Sequence, residues 1–301
     1  MKQTRRFGKW GISICLGACF CSTSNAQLLD NTRGMLAVED VIFNQAFLSR
    51  NGISEISEKH QIKRPGKAIS NKLDAATMRF DSQGLLTEHF RVSSSSGEAD
   101  TIHRRFSYTE NGIDRILKIQ GNQFHEELIL IKNDTVYIRS HRLTEASYSG
   151  TTPQELIWLY DEKLAIEKSQ NRSIYTRYNN EGLPYLKTVI RKDSSGFLLE
   201  ENEQFLVTRQ QKTTSYQYER FGHIWQRQVL FPNGKKERWE FLYDDSYNVI
   251  EVQYYRNEEL LTRMEFLYTT MGLLDATLKQ QQDTKNIDIV RYSYKYHPSK
   301  N

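Results

Sequence analysis

Apolar and polar positions along the chain change their period once. From Met35 to Ser49, the residues Leu36, Val38, Ile42, Phe43, Ala46 and Phe47 recur at spacings of roughly three and four, the stripe of an amphipathic helix, and Asn51-Gly52 follows as a left-handed close. After Gly52 the period is two. Ala76-Thr-Met78-Arg-Phe80, Arg104-Arg-Phe106-Ser-Tyr108, Leu156-Ile-Trp158-Leu-Tyr160 and Ile174 to Tyr178 alternate, and each runs into a stretch with Asp, Asn or Gly. Such runs predict strands joined by tight turns.

The alternation is most regular from Tyr216 to Tyr296. Tyr216-Gln-Tyr218, Phe241-Leu-Tyr243 and Phe266-Leu-Tyr268 each precede a turn, ending at Gly222, Tyr247 and Gly272; Tyr218, Tyr243 and Tyr268 are 25 residues apart, and Tyr294 follows after 26. Aligned on that aromatic residue, the repeats carry Phe80, Tyr108, Tyr160, Tyr178, Tyr218, Tyr243, Tyr268 and Tyr294. Two positions earlier stand Met78, Phe106, Trp158, Thr176, Tyr216, Phe241, Phe266 and Tyr292. Side chains two apart share one face of a strand. The pattern therefore predicts a mainly β chain: an antiparallel meander of hairpin repeats, aromatic on its buried face, curved into a solenoid or half-barrel, with one N-terminal helix. Core packing is expected for Trp158 and Trp239. Trp225, beside His223 and Arg227, is the aromatic candidate for binding, although its counterpart Ile250 has apolar alternate neighbours that argue for burial.

The unit Phe241-Leu-Tyr243-Asp244-Asp-Ser-Tyr247-Asn248-Val249-Ile250 resembles the YD repeat of secreted bacterial RHS-like proteins, and the resemblance covers most of residues 53–296. It implies a β-sheet shell, which in large members surrounds a C-terminal toxin. Here the repeats run to Tyr296, leaving 297–301 as a tail, so the chain is similar to a small free-standing array without a toxin domain. The resemblance implies no shared activity.

At the N-terminus Lys2, Arg5, Arg6 and Lys9 precede an apolar or small stretch from Trp10 to Cys21, and Ser24-Asn-Ala26 places small residues before Gln27. This is the pattern of a signal peptide over 1–26, cleaved after Ala26. Leu16-Gly-Ala-Cys19 competes as a lipobox, in which Cys19 would be lipidated. The expected location is periplasmic or extracellular, or the outer membrane through Cys19. The apolar core falls short of the roughly 20 residues of a membrane span, and no transmembrane segment is expected in the mature chain. The rest divides into a helical region, 27–52, and a repeat domain, 53–296, with a possible seam at Tyr148–Pro153.

Removing 1–26 changes the charge and the chemistry. The whole chain has 41 Lys plus Arg against 37 Asp plus Glu, and the four basic residues of the leader account for the excess. A neutral mature chain gives no compositional ground for nucleic-acid binding. Cys15, Cys19 and Cys21 also leave with the leader, excluding disulfides, a catalytic thiol and thiolate metal sites. The seven histidines show no metal-ligand spacing; His125 and Glu127 share a strand face but form only a pair, and the Asp244 turn lacks the closing carboxylate of a calcium loop. No G-x-S-x-G elbow occurs. The expectation is a non-catalytic exported envelope protein without cofactor or metal, binding another protein or serving as a scaffold. The alternatives are a glycan-binding module and a carrier of a hydrophobic ligand on the concave face.

Overall fold

The computed structural model describes residues 27–36, 41–95, 98–144 and 156–298. The expected leader with Cys19, and the expected seam at 148–153, lie outside the described residues. The described chain forms one helix, α1 (Gln45–Arg50), and eighteen strands: β1 (Ile53–Lys63), β2 (Ser70–Phe80), β3 (Leu86–Ser95), β4 (Glu98–Thr109), β5 (Gly112–Gln120), β6 (Gln123–Lys132), β7 (Thr135–Leu143), β8 (Leu156–Ser169), β9 (Arg172–Tyr178), β10 (Pro184–Lys192), β11 (Leu198–Phe205), β12 (Gln211–Tyr218), β13 (Ile224–Leu230), β14 (Lys236–Tyr243), β15 (Val249–Arg256), β16 (Glu259–Tyr268), β17 (Leu274–Gln281) and β18 (Ile287–Tyr296). Each strand pairs antiparallel with its chain neighbours. β18 also pairs with β1 from Ile53↔Tyr296 to Lys63↔Ile287. The meander is thus a closed barrel, and the half-barrel or solenoid expectation is corrected: pairing the first strand with the last removes both free edges of the sheet.

Local chemistry explains the repeat. In four of the turns an Asp or Asn carboxyl or amide oxygen accepts two backbone N–H groups, as Asp81 does from Gln83 and Leu85, and Asp244 from Ser246 and Asn248. One extra residue then enters the following strand. Tyr218 faces Ile224 while Gln217 faces Gln226, leaving Trp225 as a bulge, and Ile250 and Asp275 repeat this after Tyr243 and Tyr268. The tyrosine of the next repeat closes the distortion. Tyr243 Oη donates to Ile224 O (2.7 Å), Tyr268 Oη to Val249 O (2.9 Å) and Tyr294 Oη to Leu274 O (2.7 Å). Burial pushes these phenols well above the usual tyrosine range, and that of Tyr218, bonded to Leu198 O, up to about 12.

Residues 27–36 and 41–50 define the inside. Leu28, Leu29, Leu36, Phe47 and Leu48 join one buried cluster with Ile56, Met78, Tyr216, Trp239, Phe241, Val252, Met264, Phe266 and Tyr292, drawn from strands around more than half of the barrel. The aromatic face is therefore the inner wall, and the N-terminal segment is a plug packed against it. The plug is fixed to one end of the barrel. Gln45 Nε2 donates to Gln83 O (3.1 Å), Ser49 Oγ to Ser82 O (2.9 Å), Asn31 Nδ2 to Tyr243 Oη (3.0 Å) and Gln27 Nε2 to Tyr247 O.

Of the helix expected from Met35 to Ser49, residues 37–40 lie outside the described residues, and the described remainder is helical only in α1, capped by Asn44 Oδ1 on Phe47 N (3.2 Å). Leu29 instead pairs with Phe43 in an isolated bridge. Of that pattern, Leu36 and Phe47 belong to the buried cluster and Phe43 packs against it, Leu36 and Phe43 from bridge positions and Phe47 from α1. Two further expectations fail by phase. β8 passes straight through the turn expected after Tyr160, and three strands follow Tyr178 before Tyr218, so Tyr178 ends its strand at the opposite end of the barrel and Ile174, Thr176 and Tyr178 face outward. Trp158, expected in the core, is 49 % exposed, because a bulge at Leu159 puts it on the other face from Tyr160.

Candidate functional site at the polar end

At the end of the barrel away from the plug the inner wall changes character. Following the register from Met78 places His89 and Arg91 of β3, Arg104 of β4, Lys118 and Gln120 of β5, His125 and Glu127 of β6, Arg142 of β7, Tyr160 and Glu162 of β8 and Arg177 of β9 on the inside. Water reaches them: Arg142 and Tyr160 are exposed and the others are partly so. The inner wall is apolar and packed against the N-terminal segment at one end, and polar and partly exposed at the other.

Two carboxylates anchor this wall. Tyr160 Oη donates to Glu127 Oε1 (3.2 Å); Tyr185 Oη donates to Glu162 Oε1 (2.8 Å), and Arg177 Nη1 to Glu162 Oε2 (3.3 Å). Burial raises the Glu127 carboxyl above the ordinary range, with Glu162 adding to the effect and Tyr160, Lys118 and Arg104 opposing it. Burial likewise pushes the Tyr160 and Tyr185 phenols up to about 12, each helped by its carboxylate partner. His125 is held below the usual histidine range by burial and then by Lys118 and Arg142. The arrangement presents fixed cations and hydrogen-bonding groups around two half-buried carboxylates. Such a surface can orient a ligand rich in hydroxyl or anionic groups.

Among the described residues no group of three or more His, Asp or Glu side chains could hold a metal. The Asp244 carboxylate, weighed for calcium, is used by its own turn. Trp225 is 38 % exposed on the outer wall, as is Ile250; the argument for their burial assumed unbroken alternation, which the bulge interrupts. Trp225 therefore stands apart from the chamber. Of the chamber residues, the sequence pointed to the shared face of His125 and Glu127 and to Tyr160 on the aromatic face of its repeat. Glu162, Arg177 and Tyr185 meet across β8–β10 and carry no local motif.

No family model matches this chain. No curated protein matches it either. Among solved structures it is similar to a porin-like protein from Bacteroides uniformis (11 % identity, covering 81 % of this chain and 97 % of that one, TM-score 0.38). It is also similar to a porin-like protein from Bacteroides vulgatus (9 %, 82 % and 99 %, TM-score 0.30) and to a LolA superfamily protein from Nitrosomonas europaea (8 %, 83 % and 88 %, TM-score 0.23). No function is carried over from likenesses at this level. The resemblance to YD and RHS arrays is overturned: no family model supports it, and the sheet closes on itself instead of forming an open array. The shared Tyr-Asp signal reflects a turn in which Asp244 holds backbone N–H groups and Tyr243 bridges to the preceding bulge.

Proposed function

We propose that this protein is an exported, non-catalytic binding barrel of the bacterial envelope, which takes a polyanionic saccharide into its polar end. The observation that carries this reading is the inner wall of β4–β10, where Arg104, Lys118, Arg142 and Arg177 face the same space as Glu127, Glu162 and the rings of Tyr160 and Tyr185. Binding is preferred to catalysis because both carboxylates are tied to tyrosine hydroxyls, and one also to an arginine. A hydrophobic carrier is the less favoured reading, since Leu28, Leu29, Leu36, Phe47 and Leu48 of the chain itself pack against the aromatic face.

An aqueous setting is supported by the outer wall. Arg79 bridges Glu55 (3.1 Å) and Glu88 (2.8 Å), Arg139 meets Asp161 (3.0 Å), Arg238 meets Glu240 (2.7 Å) and Arg263 meets Glu251 (2.5 Å). Charges within strands on several sides interrupt the apolar band, about 25 Å tall, that a lipid-embedded barrel needs. The basic and apolar pattern of residues 1–26 supports export.

Calorimetric titration of the mature chain with hyaluronate, pectin and neutral dextran tests the reading. Binding of an acidic polymer, weakened at least tenfold by Lys118→Ala with Arg142→Ala, is expected; absence of binding to every acidic polymer tried would remove it. A second reading is favoured by the exposed outer residues Leu199, Trp225, Leu242, Ile250 and Leu267, which suit a protein partner. Under that reading Trp225→Ser abolishes capture of an envelope protein and leaves saccharide binding unchanged.

A further inference from the structure

Arg227 of β13 lies on the inner wall below the plug, with 8 % of its surface exposed. Its guanidinium sits 4.8 Å over the Trp239 ring, and Gly34 of the plug rests on its stem, so that a Cβ on Gly34 would lie 3.2 Å from Arg227 Cδ. Tyr216 faces it across the ladder. The Tyr216 hydroxyl in turn donates to Glu201 Oε2 (3.3 Å), which Arg33 also holds (3.2 Å). Glu201 thus pairs with Arg33 and with Tyr216, not with Arg227 itself.

Two nitrogens of Arg227 go unmet. Nε and Nη1 are both buried without an acceptor. Arginine cannot shed its proton to escape, and both an unpaired buried donor and an uncompensated buried charge are strongly unfavourable. Stacking on Trp239 compensates the charge through the ring face but gives neither N–H an oxygen. The plug contributes a second unmet group nearby: Asn31 Oδ1 is buried without a donor, while Asn31 Nδ2 reaches Tyr243 Oη, which bonds Ile224 O, three residues before Arg227.

We propose that the barrel holds an anionic group at Arg227, a carboxylate or phosphate whose oxygens accept Nε–H and Nη1–H beneath the N-terminal segment. This site lies on β13, apart from the polar chamber on β4–β10, and goes beyond the saccharide reading. An anion there would neutralise the Arg227 guanidinium and couple plug closure to occupancy, since Gly34 forms part of its roof.

The test uses the mature chain at constant ionic strength, with chloride as the reference anion and inorganic phosphate and acetate as probes. Arg227 Nε–H is observed by nitrogen-resolved NMR, assigned through its proximity to the Trp239 indole, together with the thermal midpoint. Expected is a saturable shift of that resonance with phosphate or acetate but not chloride, and a rise in Tm of roughly 5 °C at saturation. Phosphate alone acting points to a phosphate group, and acetate alone to a carboxylate. Arg227→Met, which keeps an apolar stem under Gly34, should lose the response while retaining polysaccharide binding in the chamber. An unmoved resonance with either probe, and a Tm that follows ionic strength alone, would mean that only water meets the guanidinium; that result overturns the proposal even if the variant fails to fold, because the wild-type titration decides it.

Discussion

Glu127 sits where burial opposes its ionisation, and this gives a signed expectation. The folded chain binds its proton more tightly than the unfolded chain, because the carboxyl is raised chiefly by burial. Its contribution to stability is therefore full below the unfolded value of about 4.3 and is lost as pH rises through the raised folded value. Glu127→Gln keeps an acceptor for Tyr160 without the charge. The variant should match the wild type in thermal midpoint near about pH 4 and exceed it near about pH 8; a lower midpoint at the higher pH would mean that the ionised carboxylate is a net stabiliser. At this scale the sequence was readable where alternation held, as for Trp239, 5 % exposed. It misled for Trp158 and Trp225, since a bulge shifts the face of a side chain without altering the alphabet of apolar and polar residues around it.

Among the elements, the turns were legible and the plug was not. Asp, Asn and Gly mark a turn through chemistry confined to a few residues, and the aromatic stride of 25 marks a hairpin unit. The plug depends on contacts of residues 27–36 and 41–50 with strands far along the chain, which its apolar spacing alone does not show. Two glycines separate its contribution from that of backbone conformation. Gly84 and Gly272 have nearly equal φ, +74° and +77°, but a Cβ on Gly84 would lie 2.3 Å from Gln45 O of α1, whereas nothing lies within 4 Å at Gly272. Gly272→Ala should cost on the order of 1 kcal/mol from its left-handed backbone alone. Gly84→Ala should cost distinctly more in urea denaturation, because it also pushes the plug from its seat; equal costs would show that this contact holds nothing in place.

Over the whole molecule, closure and the two-ended interior decide what the protein can do. Closure is set by the pairing of β1 with β18, more than two hundred residues apart, and nothing in a 25-residue repeat distinguishes a barrel from an open sheet. The polar chamber was hidden for a related reason. On β6 the outward Phe124 and the inward Ile129 are both buried, so neither face reads as the wet one, and the inner wall becomes apparent only when register is followed around the barrel. Once it is followed, the aromatic repeats account for the packed end and the departures from them for the polar one.

The most direct measurement is a pair of introduced cysteines in residues 27–301, which contain none of their own. Ser57 faces Ser293 across β1 and β18, and faces Thr77 across β1 and β2. Paired Cα atoms in an antiparallel ladder lie about 4.5 to 5.5 Å apart, within reach of a disulfide. Ser57→Cys with Ser293→Cys should form an intramolecular disulfide under mild oxidation as readily as Ser57→Cys with Thr77→Cys, detected by a mobility shift and peptide mapping. Closure of the Ser57–Thr77 pair without the Ser57–Ser293 pair would place β1 and β18 at separate edges and contradict the closed barrel.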